Sequence, residues 1–384
     1  MRSQQPWYLF FVTLIFAVMS FKPLAKSGDY LYSFQTGSEN WGSIALKGHL
    51  AYFGSDNGKL YAYDTDRAKL RWAFSTGDKV RSKPLLDQYR VYFSSDDGQL
   101  YALNRWTGEP LWQAQLHDGS YARVLPANHA PWEFDYTQSS PIADRANVYV
   151  GSTDGHFYAF SKHTGALRWK FNTNTKIRAT ATLYQDLVYI TSWGGAVYAL
   201  DKHTGELMWH YQTQGAIPSS PVIVDDVLVV GSRDTYLYGF SALNGTIIWK
   251  KALPGGSWVE SSAAVGKDAS HFYIGSSDAK LLFKMSTQTG DIVWQTTTPG
   301  WSWGQPVMHQ DHVYIGSTGH DEPGWYVTQR GFLAVNTDSG DIVWQYQPNK
   351  IPGFVHGGVY ASPAVSNSKV LVPDLDGFIH IFEK

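Results

Sequence analysis

Eight positions in this sequence carry side chains that could recognise a ligand. They lie three residues before the proline of a recurrent Ser-Pro step or its equivalent, and they read Trp41, Arg81, Gln138, Arg178, Pro218, Glu260, Trp303 and Tyr360. The guanidinium forks of Arg81 and Arg178 suit clamping of an anion. The indoles of Trp41 and Trp303 suit stacking on a ring or a cation. Glu260 is the one acid of the set; if it pairs with an arginine, the set plugs a pore instead of opening a site. Five further tryptophans (Trp132, Trp193, Trp258, Trp301 and Trp325) and the polar residues His129, Asp135 and His356 fall on neighbouring loops, with no metal-ligand spacing among them. Asp374-Leu-Asp376-Gly377 has the start of a calcium-loop spacing without the remaining ligands, so it reads as a turn.

Composition narrows the elements that must position these residues. The chain of 384 residues holds 16 Trp, 24 Tyr and 36 Gly, with 15% aromatic and only 17% charged residues, which describes a turn-rich, aromatic-packed β protein. A formal charge of −2 excludes the strong basic excess of a nucleic-acid binder. There is no cysteine, so neither a disulfide nor a lipid-modified N-terminal cysteine can form.

Self-comparison shows a repeat whose unit is clearest from Leu187 to Trp209. Related segments end at Trp72, Trp112, Trp169, Trp209, Trp249, Trp294 and Trp344, with a base period of 40 residues and insertions. Each unit predicts four short strands: one after the Ser-Pro step, a Val/Tyr-rich one ending in Gly-Ser, a third of the Leu-Tyr-Ala-Leu type, and a fourth carrying the Trp. Asp-Gly and Thr-Gly turns separate the later strands, since glycine permits positive φ. Four strands per unit predict a β-propeller. Seven units are complete. Residues 359–384 supply three strands, and the Tyr30–Thr36 segment supplies the missing fourth, with Tyr32 one period before Trp72. The expected fold is therefore all-β: eight four-stranded antiparallel blades, the ring closed by the N-terminal strand joining the C-terminal blade.

The pattern Ala-x-Asp-x-x-Thr-Gly-x-x-x-Trp, complete at Ala199, Asp201, Thr204, Gly205 and Trp209, resembles the tryptophan-docking motif of quinoprotein (PQQ-like) propellers. The resemblance extends over essentially all of 29–384. In length, export, blade number and ring closure the chain resembles the BamB-type propellers of outer-membrane protein assembly. That resemblance implies a periplasmic, non-catalytic scaffold whose partner is a membrane β-barrel assembly complex, although the lipidated cysteine typical of that type is missing here. The same repeat occurs in quinone-dependent alcohol and sugar dehydrogenases, whose pattern adds a vicinal disulfide, a calcium site and a catalytic carboxylate. No cysteine and no calcium spacing answer to that pattern, so no PQQ or calcium is expected. A third reading is a propeller that binds a small anion, peptide or glycan without chemistry.

Residues 1–27 are expected to be a signal peptide: Arg2, then the uncharged apolar run Trp7 to Phe21, then Ala25-Lys26-Ser27, with cleavage after Ser27. The alternative is an uncleaved anchor. The mature protein is expected to be a secreted or periplasmic monomer. The seven connecting-loop tryptophans and the long segments 114–137, 317–329 and 347–358 all fall at one end of the barrel, called the top face below. Their expected role is partner binding, with capping of the central channel as the alternative.

Overall fold

The computed structural model describes residues 26–119, 121, 123, 134–321 and 327–384. Most of the expected signal peptide (residues 1–25), with His129, Trp132 and Trp325, lies outside the described residues. The described chain forms eight four-stranded antiparallel sheets, and its only helical element is the single turn Pro254–Gly256. Each blade runs from a short innermost strand, such as Thr182–Tyr184, through Leu187–Thr191 and Ala196–Asp201 to an outer strand, Leu207–Gln212. The innermost strands of most adjacent blades touch, and that of the last blade touches the first, which closes the ring.

Closure is made as the repeat requires. The outer strand of the eighth blade is Tyr30–Gln35, which pairs antiparallel with Phe378–Glu383 at the other end of the chain. Its Phe34 ring packs on Phe53, Tyr61 and Tyr63 of the first blade, with centroids at 5.8, 5.5 and 4.8 Å. The pairing covers the edge that Phe378–Glu383 would otherwise expose.

Aromatic repetition has a specific cause. In the first blade the Trp72 indole N–H and the Tyr52 hydroxyl both donate to one carbonyl of the next blade, that of Arg105, at 3.1 and 3.0 Å. Trp169 and Tyr149 do the same to Lys202, and Trp209 and Tyr189 to Ala242. One carbonyl has two lone pairs, so two buried donors are satisfied by one acceptor across the blade seam. The N-terminal strand reproduces the contact with a smaller side chain: the Tyr32 hydroxyl donates to the carbonyl of Thr65, the equivalent turn residue of blade one.

The Thr-Gly turn meets a second demand at the same seam. Gly205 has φ +78°, and a Cβ placed there would lie 2.6 Å from the Trp169 ring of the preceding blade. Gly108, Gly165 and Gly245 stand in the same relation to Trp72, Trp112 and Trp209. Gly28 fills that place over Trp344, where the ring is closed. Glycine is thus needed for backbone sign and for indole contact together.

Candidate functional site

All eight of the mouth residues, from Trp41 to Tyr360, line one cavity of about 440 Å³ on the propeller axis. The Ser-Pro step places each of them at the entry to an innermost strand, so the repeat itself sets the ring. What the ring does there follows from its partners.

The anion clamp expected of Arg81 and Arg178 is not left open. Arg81 Nε and Nη2 bond both oxygens of Asp56 at 2.8 and 2.5 Å, and its Nη1 donates to the Tyr136 carbonyl at 3.2 Å. Arg178 holds both oxygens of Asp135 at 2.7 Å, and its Nη1 donates to Thr153 Oγ1 at 2.7 Å. Buried guanidinium groups require such compensation, and these bidentate pairs leave no fork directed at a ligand. Arg123, from the long insertion, pairs with Asp96 and also donates to the carbonyls of Asp135 and Thr137. Burial pushes the Asp135 carboxyl up, but Arg178, Arg123 and Lys176 outweigh it and hold the group below the usual carboxylate range.

Glu260 is paired as well, by Arg233 at 2.8 Å. Its burial outweighs that partner and raises its pKa. The Arg233 guanidinium lies over both Trp193 and Trp258, at 4.8 and 5.0 Å from their ring centroids, and Lys176 covers Trp193 at 3.9 Å. These three cation–π contacts fix two of the loop tryptophans in place.

A rule connects the pairs. Five of the mouth side chains bond the residue after the Ser in the second-to-third-strand turn of the preceding blade: Arg81 with Asp56, Gln138 with Asp96, Arg178 with Thr153, Glu260 with Arg233, and Trp303 with Ser277. Sequence reasoning missed this relation, although its signal was present in the residue type following each Ser.

One stacking face of each indole is taken too. Trp41 lies flat on Tyr136 with centroids 4.0 Å apart and planes 4° apart. Trp303 stacks on Trp301 at 4.9 Å, and Trp301 stacks in turn on His320 at 5.5 Å. Phe134, Val355 and Leu375 complete one buried cluster with these rings and Tyr360. Its members come from the 114–137 insertion, the 347–358 connection and the blade-eight turn, so both long segments cap the channel. His356 reaches Asp321 on the neighbouring loop and lies 5.7 Å from His320. Tyr121 and Val327, on two of the long segments, stay exposed, 46% and 57% accessible.

With this mouth in view, the relatives of the chain can be stated. A family model described as outer membrane protein assembly factor BamB matches residues 23–139, 129–258 and 233–383. The chain belongs to the BamB family. No curated protein matches it. Among solved structures it is similar to BamB from Moraxella catarrhalis, at 17% identity and a TM-score of 0.67, over 92% of this chain and 97% of that one. It is similar to the quinohemoprotein alcohol dehydrogenase of Comamonas testosteroni at 12% identity and a TM-score of 0.69, over 93% and 76% of the two chains. A europium-containing methanol dehydrogenase matches at 14% identity and a TM-score of 0.68, over 89% and 84%. At these identities the structural likeness is one of fold.

Family membership leaves the cofactor to be judged on this chain's own residues. A quinone at the mouth needs free ring faces and free cationic donors. In this BamB-family chain one face of Trp41 and one of Trp303 are covered by Tyr136 and Trp301, and the Arg81 and Arg178 donors are spent on Asp56 and Asp135, so the clamping and stacking groups named from the sequence are already engaged. The one described group of three or more metal-type donors in mutual reach is Asp374, Asp376 and His380, in the blade-eight turn. Its first two members also make the expected turn bonds: Asp374 accepts the Asp376 N–H at 3.1 Å, and Asp376 accepts the Phe378 N–H at 3.0 Å. Among the described residues no helix is long and apolar enough to cross a membrane.

Proposed function

We propose that this BamB-family propeller is an exported, non-catalytic scaffold that docks a protein partner, a membrane β-barrel assembly complex, through its top-face loops. The observation that carries the reading is the cap. Buried ion pairs and stacked rings consolidate the mouth into a platform, and exposed apolar side chains remain on the long segments that cap it. A rigid platform lowers the ordering cost of association.

The test is recovery of the assembly complex from detergent-solubilised outer membranes on the tagged protein. Tyr121→Glu with Val327→Glu is expected to abolish recovery while leaving the melting temperature unchanged, because both side chains are exposed. Undiminished recovery by that variant, or no recovery by the wild type, would overturn the proposal. A PQQ-dependent alcohol oxidation after reconstitution with PQQ and calcium would also overturn the non-catalytic reading.

A further inference from the structure

Below the mouth the channel changes chemistry. Two residues after each mouth position, on the same side of an extended segment, six of the eight blades carry a hydroxyl that lines the cavity. These hydroxyls are tied in a relay around the axis. The Lys83 N–H donates to Ser140 Oγ at 2.8 Å, the Ser140 N–H to Thr180 Oγ1 at 3.1 Å, the Thr180 N–H to Ser220 Oγ at 2.9 Å, and the Ser220 N–H to Ser262 Oγ at 2.9 Å. Each of these hydroxyls spends a lone pair on the backbone and keeps its own hydrogen as a donor. Each hydroxyl can therefore still donate to a group on the axis.

Lys83 stands at one of the two ring positions without a hydroxyl. Its side chain is exposed to the channel, and its ammonium has no acceptor or carboxylate partner among the described residues. Burial alone pulls its pKa below the usual lysine value. The other charged groups facing the cavity are Arg81, Arg178 and Glu260, and each is already compensated by Asp56, Asp135 or Arg233. One positive charge without a carboxylate partner thus sits in a ring of hydroxyls that can donate to an anion. Two residues further along, Leu85, Ile142 and Val222 line the same cavity and make it apolar.

We infer that the channel binds a small monoanion, a carboxylate with a short apolar tail. The carboxylate is held by the Lys83 ammonium and the hydroxyls of Ser140 and Thr180, and the tail lies against Leu85, Ile142 and Val222. The aromatic cap covers the mouth, so the ligand enters from the opposite end. An ammonium that faces the channel walls without a carboxylate partner gains from an anion, and its charge discriminates against neutral or cationic ligands. The inference does not depend on the docking role.

Isothermal titration with butyrate, and with butyramide as its uncharged isostere, tests the site on the purified protein. Butyrate is expected to bind at least about tenfold more tightly than butyramide, the span of one charge-assisted hydrogen bond. Lys83→Met is expected to lose at least about tenfold for butyrate, Lys83→Arg to retain most of the affinity, and Thr180→Val to lose about fivefold. Raising the pH through the depressed lysine pKa should weaken butyrate binding and leave butyramide unchanged. Equal titration by both probes, no binding by either, or retained affinity in Lys83→Met would overturn the inference. If Lys83→Met fails to fold, the comparison of the two probes on the wild type still decides.

Discussion

Replacing Gly205 with alanine separates the two demands that the repeat places on its turn glycine. The backbone there has φ +78°, and alanine in that region costs about 1–2 kcal/mol. The new methyl would also lie 2.6 Å from Trp169 Cε3 and 2.7 Å from Cδ2. Carbon contacts are favourable at about 3.5–4.0 Å, so the indole must move by about an ångström. That shift strains a packed seam, at about 1–3 kcal/mol, and stretches the 3.2 Å bond from Trp169 to the Lys202 carbonyl, worth about 1 kcal/mol. The sum is about 3–6 kcal/mol. Gly255 is the control: its φ is +71°, but nothing lies within 4 Å of a methyl added there. Gly255→Ala should cost only the backbone share, and the entropy lost by the unfolded chain is common to both variants and cancels. Urea unfolding followed by far-UV circular dichroism measures the difference, which should be about 2–4 kcal/mol. Equal midpoints for the two variants would refute the docking argument and leave only the backbone term.

Two further predictions concern the ring and its last blade. Deleting residues 28–36 removes the strand that pairs with Phe378–Glu383 and the Phe34 contacts with blade one, so calorimetry should show a lower and broader melting transition; an unchanged transition would mean the ring closes without it. The Asp374 carboxyl is pushed up to about 7 by burial and by Asp376, against the opposing pull of His380. A folded pKa above the unfolded value of about 3.9 means that the folded state binds more protons between those limits. Stability is therefore fully present below about pH 4 and is lost as the pH rises through about 7, by up to about 1.4 kcal/mol per pH unit. Asp374→Asn should flatten that loss, with its melting temperature gaining most on wild type at pH 8; parallel pH profiles for the two proteins would contradict the assignment.

The blade count and ring closure were legible because they rest on periodic features: the interval between tryptophans, the Asp-Gly and Thr-Gly turns, and Tyr32 one period before Trp72. The ring of mouth positions was legible for the same reason, since strand alternation carries a position in the repeat into a position on the axis. The state of those side chains was not. Whether Arg81 is free depends on Asp56, 25 residues earlier and in another blade, and whether Trp41 offers a face depends on Tyr136, in an insertion with no counterpart in the other blades. Aperiodic contacts of this kind have no spacing to read. The turn glycine was read for its φ alone, because the indole that presses on it belongs to the preceding blade.

A repeat also supplies its own reference, and departures from it point to places where one blade does something the others do not. Seven blades carry a serine at the end of the second strand, from Ser55 to Ser317, and the eighth carries the buried Asp374. Five blades place a tyrosine four residues after the turn Asp or its equivalent, as in the bond from Tyr101 to Asp97, and the eighth places His380 beside Asp376. Six blades put a hydroxyl in the channel where the second puts Lys83. Packing does not demand these exchanges, since the neighbouring blades fold around the common residue. A carboxyl held near neutrality costs stability, and an ammonium without a carboxylate partner stands out where the other charged groups facing the channel are paired. The Trp-rich mouth, conspicuous by composition, is accounted for by its own internal contacts. The less conspicuous Lys83 is not, and that makes the channel beneath the mouth the better place to look for a small ligand.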